Sequence, residues 1–578
     1  MANNRMKKFV AILTFILVAT NVFAQPADII IDGTGNRQIE PAFRLTETPK
    51  IIDTVKAAPV ASYPMLVYQG TTKISLDTIE AATVETTEKL KQLYPFYAKI
   101  GIGSVIMPLG ELYFNSTRSR SNTYGAHIKH LSSFGDVKDR DKVTYAPANF
   151  DRTDVKLFGK INENNYNLLG SLHYKNDGFN YYGIPNDSIA KDSISQRFQQ
   201  VGGDFEFIGN RGDTSILNYK ISTGYSYLTT KKPTIDSLAD WKTQDHDFYI
   251  KTKLWYNYKS EKFYGNFGVR YNGYRYGIQD SVISPIDSGL VRNNTIIDFQ
   301  PGVLTMKAGN RLKVNLGVLL SIDIQEKTRA YIYPMAEVKY SFVNDMFIPF
   351  IGVRGGLKQT SFRSLAAENQ FVLTNVQLQN EHNPFNIYAG FKGNLSKRMT
   401  FNVNLSYAKI MNKALFVNDT LYSLGNKFNV IYDTLNQMKV EASLTYQINE
   451  KLKIDGIGRF YSYETKNQAF AWNLPQLQFM VRGAYNLYDK FLVNLEGNLE
   501  TGRQALVYSP GQDVKQENGQ YYKALGTIVD LNLGFEYRYN TRVSAFLQFN
   551  NLAAQRYNRW LSYPVQGFQV MGGITARF

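Results

Sequence analysis

The sequence contains no cysteine and only five histidines among its 578 residues. Without cysteine the chain can form neither disulfide bonds nor cysteine-ligated metal sites, and it offers no thiol nucleophile. Its stability must therefore come from hydrogen bonding and packing rather than from covalent cross-links.

Beyond its first 24 residues, the sequence also lacks an uninterrupted apolar run that reaches the roughly 20 residues of a membrane-spanning helix. This excludes a helical membrane protein. A fixed internal repeat is missing too, which argues against a soluble β-helix or propeller.

Residue patterns that would carry catalysis or metal binding are missing as well. His127 and His130 stand three apart, so on a strand they face opposite sides. In the segment 245–247 the central histidine points away from both aspartates, and a shared metal site would need a bulge. No spacing of serine, histidine and aspartate selects a catalytic triad. We therefore predict that the chain is not an enzyme and binds no metal or cofactor.

The first 24 residues have the pattern of an export signal. Three basic residues precede an apolar stretch from Phe9 to Thr20, and a small-residue pattern follows. This predicts a signal peptide over residues 1–24, cleaved between Ala24 and Gln25. Because no cysteine follows the cleavage point, we expect no lipid anchor.

The end of the chain has the most informative pattern that is present. Phe568, Val570, Ile574 and Phe578 fall on one face of an extended strand, and polar residues between them fall on the other. A final strand with an outward aromatic at the chain end is typical of the signal by which outer-membrane barrels are recognised for insertion. We predict that these four residues are that signal.

The same alternation repeats from about Phe96 to the end of the chain. Runs of 10 to 15 alternating residues are joined in turn by very short polar turns and by longer polar loops. Soluble strands run about 5–6 residues, whereas strands that cross a membrane need about 9–11. The pattern predicts an all-β fold: a large antiparallel transmembrane β-barrel over residues 94–578, with short periplasmic turns and longer extracellular loops.

The predicted barrel has about 22 strands, and counts of about 18 or 20 stay open. Its first two strands are expected at Phe96–Ile106 and Leu109–Asn115, joined at Met107 and Pro108, and one long loop is expected near 412–434. The 40 tyrosines and 36 phenylalanines suit the aromatic girdles of such barrels.

The formal charge of +16 is spread singly over polar strand faces and turns. Export and this scatter argue against nucleic acid as a partner. Outer-membrane lipid with its anionic lipopolysaccharide, the barrel-insertion machinery, and an anionic guest in the lumen are the partners that we expect. We place the protein in the outer membrane of a Gram-negative bacterium.

A motif of about thirty residues, from Phe546 to Phe578, includes the last strand and its closing aromatic residue. It ends the penultimate strand with an asparagine–leucine pair and then leads through aromatic residues and a tyrosine–proline pair to a glycine. Its members are Asn551, Leu552, Tyr557, Trp560, Tyr563, Pro564 and Gly567. The motif resembles the C-terminal hairpin of TonB-dependent receptors, and the resemblance implies the 22-stranded barrel of that family.

The chain departs from that family before the barrel, where the family has a plug domain that fills the lumen. Here residues 25–93 are interrupted by prolines, which favour an extended periplasmic or lumenal segment. Asp77-Thr78-Ile79 resembles a TonB-contact box, but too few residues follow it to form a plug. We therefore expect no contact with TonB.

A barrel of this width cannot be filled by its own wall side chains, and receptors of that size are plugged. The lumen must be closed by residues 25–93, by long loops folded inwards, or by another envelope protein. Two functions follow: a transport or channel component, or a non-transporting subunit of a larger outer-membrane or secretion machine. A barrel enzyme is a remote third.

Overall fold

A computed structural model describes residues 93–209, 217–231, 242–277, 290–307, 309, 311–343, 345–449 and 451–578. The predicted signal peptide, with Ala24 and Gln25, and nearly all of the segment 25–93 lie outside the described residues. The described chain consists mainly of β-strands and has almost no helix, as the alternating pattern predicts.

The strands alternate in direction along the chain and are numbered in chain order. They are β1 (Phe96–Gly103), β2 (Met107–Asn115), β3 (Asn122–Ser133), β4 (Phe150–Asn162), β5 (Tyr166–Asn180), β6 (Ser195–Gly209), β7 (Leu217–Thr230), β8 (Lys242–Tyr258), β9 (Glu261–Gly277), β10 (Leu290–Lys307), β11 (Leu312–Ile324), β12 (Thr328–Tyr340), β13 (Ile348–Lys358), β14 (Glu381–Ser396), β15 (Met399–Asn418), β16 (Phe428–Asn449), β17 (Leu452–Thr465), β18 (Leu477–Leu487), β19 (Phe491–Thr501), β20 (Arg503–Val507), β21 (Val514–Glu517), β22 (Gln520–Leu525), β23 (Ile528–Arg538), β24 (Val543–Asn550), β25 (Asn558–Trp560), β26 (Tyr563–Pro564) and β27 (Gln569–Arg577).

One antiparallel sheet of 22 strands closes into a barrel. Each barrel strand pairs with its neighbours along the chain, and β1 pairs with β27 to close the ring. At this seam the backbones of Phe96 and Phe578 exchange two hydrogen bonds of 2.9 and 3.1 Å. The predicted fold class and the count of 22 strands are confirmed. Closure leaves no strand edge unpaired, as a lipid environment requires.

The two faces of the strands differ as the sequence predicts. On β11, Leu316 is 50% exposed on the outer face, whereas Ser321 on the inner face is 1% exposed. On β27, Ile574 is 60% exposed and Thr575 is 1% exposed. The apolar face meets lipid and the polar face meets the lumen.

Two boundaries differ from the prediction. The turn between β1 and β2 lies at 104–106, where Ile106 has a φ of 50°, and Met107 and Pro108 already belong to β2. The loop expected near 412–434 is confined to 419–427. β15 and β16 continue beyond the lipid because their inner faces pack against other loops, so their alternation is less clear in the sequence.

Two short helices lie between strands: α1 (Lys191–Ile194) and α2 (Phe362–Glu368). Neither they nor any other helix among the described residues has the length and apolar composition to cross a membrane. The strands β20 to β22 and the pair β25–β26 form two small sheets at the long-loop end of the barrel.

Candidate functional site

Five of the extracellular loops fold together at the long-loop end of the barrel, and we call this assembly the loop cap. Its members are the loops β3–β4 (134–149), β5–β6 (181–194), β13–β14 (359–380), β15–β16 (419–427) and β24–β27 (551–568). Backbone and side-chain hydrogen bonds join these loops to one another. For example, the Ala146 amide donates to the Ile184 carbonyl at 2.9 Å.

The loop cap has its own apolar core. Tyr563 stacks on Phe371 with ring centroids 3.8 Å apart, and Tyr182 meets Tyr563 edge to face at 4.8 Å. Trp560 packs on Phe416 and Phe428 at the outer ends of β15 and β16. Such buried aromatic clusters contribute beyond their buried area, so these loops are packed together rather than separately solvated.

Tyr563 is the residue at the centre of this core, and it is 1% exposed. Burial raises its pKa well above the usual value for tyrosine. The hydroxyl therefore stays protonated and donates to the carbonyl of Asn426. The Tyr182 hydroxyl donates to the carbonyl of Pro564 at 2.9 Å, so the β5–β6 and β24–β27 loops are tied by both stacking and hydrogen bonding.

The β13–β14 loop reaches across the lumen. Arg152 on β4 donates from Nη2 to Oε1 of Gln370 at 2.8 Å. β4 stands nine strand positions from β13 in a ring of 22, which places it nearly opposite. On the way, the Thr374 carbonyl accepts from Thr243 of β8 and from Tyr274 of β9. The loop is thus fastened to several parts of the barrel wall.

The helix α2 in this loop begins with a local sequence signal. The Ser361 hydroxyl accepts a hydrogen bond from the Ser364 amide, and the Ser364 hydroxyl accepts one from the Ser361 amide. The two bonds form a reciprocal capping box. The capped end brings Arg363 against the inner face of β8. α2 buries Phe362 and Leu365 in the apolar core of the loop cap.

Arg363 joins α2 to two aspartates of the wall. Its Nε lies 2.8 Å from Oδ2 of Asp247, and its backbone amide donates to Oδ2 of Asp245 at 2.7 Å. Asn272 on β9 donates to both carboxylates from Nδ2. Asp245 and Asp247 are two apart on β8, so both point inwards and His246 points outwards, as predicted. We call Arg363, Asp245, Asp247 and Asn272 the charged latch.

The receptor-like motif forms the base and core of the β24–β27 loop. Asn551 has a φ of 50°, a conformation that asparagine tolerates, and donates from Nδ2 to the carbonyls of Gln555 and Gln566. The Leu552 amide pairs with the Leu531 carbonyl. Tyr557, Trp560, Tyr563 and Pro564 are buried in the loop cap, and Gly567 lies beside Arg556.

A charged group fixes the other side of the same loop. Arg503 is 1% exposed and donates to the carbonyls of Arg559, Asn558 and Gly526. Arg559 donates from Nη1 to both oxygens of Glu500 at 3.1 Å. Burial lowers the pKa of Arg503 to about 10, which leaves it charged at neutral pH.

A cavity of about 470 Å³ lies between the loop cap and the wall formed by β3 to β7. Its lining changes from aromatic near the loops to charged further along the strands. Register places these wall residues in three rows: Phe150 and Phe179; Arg152 and Asp177; and Lys129, Asp154 and Lys175. The cavity has the size of a small-molecule site.

Other candidates from the sequence do not converge on a site. His127 faces inwards, with Nε2 3.0 Å from Glu111, whereas the exposed His130 bonds to Thr153. Within the described ranges, no group of three potential metal ligands is close enough to hold an ion. Phe568, Ile574 and Phe578 are exposed on the outer face, and Val570 lies in register with them. Their role in insertion stays a prediction.

The sequence reasoning missed the residues of the β13–β14 loop. Its run from Phe371 to Leu378 contains five apolar residues, which are all buried. An apolar run inside a predicted extracellular loop was the signal that could have found the loop cap.

No family model matches the sequence, and no curated protein matches it either. Several solved structures do match the chain. The ferric-catecholate import receptor Fiu from E. coli K12 is 12% identical with a TM-score of 0.59, covering 84% of this chain and 82% of that chain. The ferripyoverdine receptor of the Pseudomonas aeruginosa outer membrane is 11% identical with a TM-score of 0.60, covering 85% and 72%.

The copper transporter OprC is 12% identical with a TM-score of 0.60, covering 84% of this chain and 80% of that chain. At these identities the likeness concerns the fold. The described chain therefore has the 22-stranded barrel fold of the TonB-dependent receptors.

Proposed function

We propose that this protein is an outer-membrane transport barrel whose passage is gated by the loop cap. The observation that carries the proposal is the β13–β14 loop, which is held on the opposite wall by the Arg152–Gln370 hydrogen bond. A barrel of this size needs a closure, and the loop cap supplies one at the extracellular end. The fold shared with outer-membrane receptors and transporters supports the location and the class of function.

In this mechanism, opening requires the β13–β14 loop to leave the lumen. Two of its anchors involve a charged group: Arg363 of the loop pairs with Asp247 of β8, and Gln370 of the loop accepts from Arg152 of β4. The aromatic packing around Tyr563 holds the remaining loops together. A solute that binds in the cavity below would compete for Arg152, because that side chain both lines the cavity and holds Gln370.

Single-channel recording in planar bilayers tests the proposal on the full chain. Replacement of residues 362–378 by a short Gly-Ser linker should turn a closed or weakly conducting barrel into an open one. Shortening of the exposed loop tip 420–424, which lies outside the buried core, should leave conductance as in the wild type. Equal conductance in the two variants would contradict gating by the loop cap.

We also propose that transport through this barrel is independent of TonB. Uptake in cells should therefore persist when the proton-motive force is dissipated. If the barrel instead stays closed without residues 362–378, and an envelope protein co-purifies in stoichiometric amount, then a subunit of an outer-membrane machine is the better description.

A further inference from the structure

The short turns at the periplasmic end of the barrel carry an excess of positive charge. The described residues between strands at this end include nine cations and three acids. The cations are Arg118, Arg120, Lys259, Arg311, Lys397, Arg398, Lys451, Lys490 and Arg542, and the acids are Glu163, Asp345 and Asp489. All twelve side chains are exposed.

The long-loop end does not share this excess. Its described connections contain fourteen cations and ten acids, several of which are paired inside the loop cap. Among the described residues, the threefold ratio of cations to acids is therefore a property of the short-turn rim rather than of the chain as a whole.

Five cations of the short-turn rim have no acidic neighbour among the described residues. No described carboxylate lies within 4 Å of the ammonium groups of Lys259, Lys451 and Lys490. The same holds for Lys397 and Arg398, which are adjacent in the two-residue turn between β14 and β15. An exposed cation without an acidic partner is available to an anion from outside the chain.

Exposed aromatic residues place these cations at the level of lipid headgroups. Tyr258, at the end of β8, is 51% exposed, and Tyr488 and Tyr539, directly after β18 and β23, are 76% and 72% exposed. Rings in this position lie at the membrane–water interface. Lys259 lies over the Tyr258 ring and Lys451 over the Tyr488 ring, each at 5.3 Å. The positive groups are thus within reach of the phosphates of the same leaflet.

We propose that the short turns form a collar that binds anionic phospholipid headgroups of the periplasmic leaflet. Lysine and arginine near a membrane surface are attracted to anionic lipids. Arginine adds bidentate contacts to phosphate oxygens. The collar holds a layer of anionic lipid around the barrel and fixes its depth in the bilayer.

Two matched fourfold variants of the full chain test the collar. The turn variant combines K397Q, R398Q, K451Q and K490Q, and the control variant combines K142Q, K327Q, K466Q and K515Q at the long-loop end. Both remove four exposed cations. Each protein is reconstituted in bilayers that mix phosphatidylglycerol with phosphatidylethanolamine, and the lipids that stay bound are measured by native mass spectrometry.

The wild type and the control variant should retain phosphatidylglycerol in preference to phosphatidylethanolamine, and the turn variant should lose this preference by about fivefold or more. Circular dichroism should show the same folded barrel in all three. The proposal would be overturned if both variants kept the preference for phosphatidylglycerol, or if both lost it to the same extent. Loss of an acidic periplasmic protein from native membranes, with lipid preference unchanged, would assign the rim to a protein partner instead.

Discussion

Arg152 and Gln370 meet inside the barrel although their strands stand on nearly opposite walls. The donor belongs to β4, the acceptor belongs to the loop between β13 and β14, and the two atoms are 2.8 Å apart. A loop that contacts only its own hairpin could move freely above the membrane. This one is tied to the far wall, and the proposed closure of the lumen rests on that tie.

Gln370→Ala should loosen the β13–β14 loop. A hydrogen bond to a charged donor contributes about 1.5–3 kcal/mol, and its loss also leaves Arg152 with fewer partners. Hydrogen exchange of the backbone over 362–378 should speed up. Gln377→Ala is the matched control, because that glutamine is exposed in the same loop. Unchanged exchange in the Gln370 variant would remove this bond from the closing mechanism.

We expect Arg363→Gln to weaken the charged latch more than Arg363→Lys does. Arg363 is 38% exposed and Asp247 is 12% exposed, so we expect a loss of about 1–2 kcal/mol, below that of a fully buried pair. Lysine keeps the charge that faces Asp245 and Asp247. In planar bilayers the glutamine variant should open more often than the wild type. Raising the salt concentration should increase the opening frequency of the wild type towards that of the variant. Identical opening of the two variants would show that charge does not hold the loop.

Tyr563→Ala should break the aromatic core of the loop cap. Removal of a buried aromatic side chain costs about 3–5 kcal/mol. Tyr563→Phe keeps the stacking on Phe371 and loses only the hydroxyl bond to Asn426, a change of about 1 kcal/mol. Limited proteolysis should cut the loops of the alanine variant while the barrel strands stay resistant. Loops that resist proteolysis equally in both variants would contradict this role for Tyr563.

Arginine substitutions on the outer face of β11 should lower the folding yield, whereas those on its inner face should not. Leu316→Arg places a charge in lipid at a cost of about 2–4 kcal/mol, and Val493→Arg on β19 does the same. Asn315→Arg points into the lumen and loses only the bond from Tyr264. Folding yields, measured as heat-modifiable bands on gels, should fall for the first two variants alone. A normal yield for Leu316→Arg would mean that its face does not meet lipid.

The chain end should matter for assembly. Phe578 pairs with Phe96 through two backbone hydrogen bonds, and the two rings stack at 5.4 Å. Deletion of Phe578 should slow insertion into the outer membrane in pulse-chase experiments. Phe342→Ser, in the short turn between β12 and β13, controls for the loss of an exposed aromatic residue outside the predicted signal. Equal rates in the two variants would argue against the predicted insertion signal.

Much of the barrel could be predicted because the alternation within each strand shows which face meets lipid and which face meets water. Leu316 and Ser321, or Ile574 and Thr575, reveal their faces by alternation alone. The tight turns add asparagine, aspartate and glycine at positions that need them. Counting such strands led to 22 without any knowledge of which pairs close the ring.

The loop cap could not be predicted in the same way. Tyr563 and Phe371 are 192 positions apart, and the sequence around either residue does not predict their contact. The receptor-like motif led to Tyr557, Trp560 and Tyr563, but not to the loops that cover them. The apolar run from Phe371 to Leu378 showed only that something had to bury it.

By itself, then, the sequence determined that the chain is a membrane-crossing barrel, because alternation acts over neighbouring residues and lipid penalises every error in it. Only the tertiary structure decided which loops pack together and cross the lumen. Their arrangement depends on contacts such as that of Arg152 with Gln370, which form only once the ring of strands has brought opposite walls and their loops together.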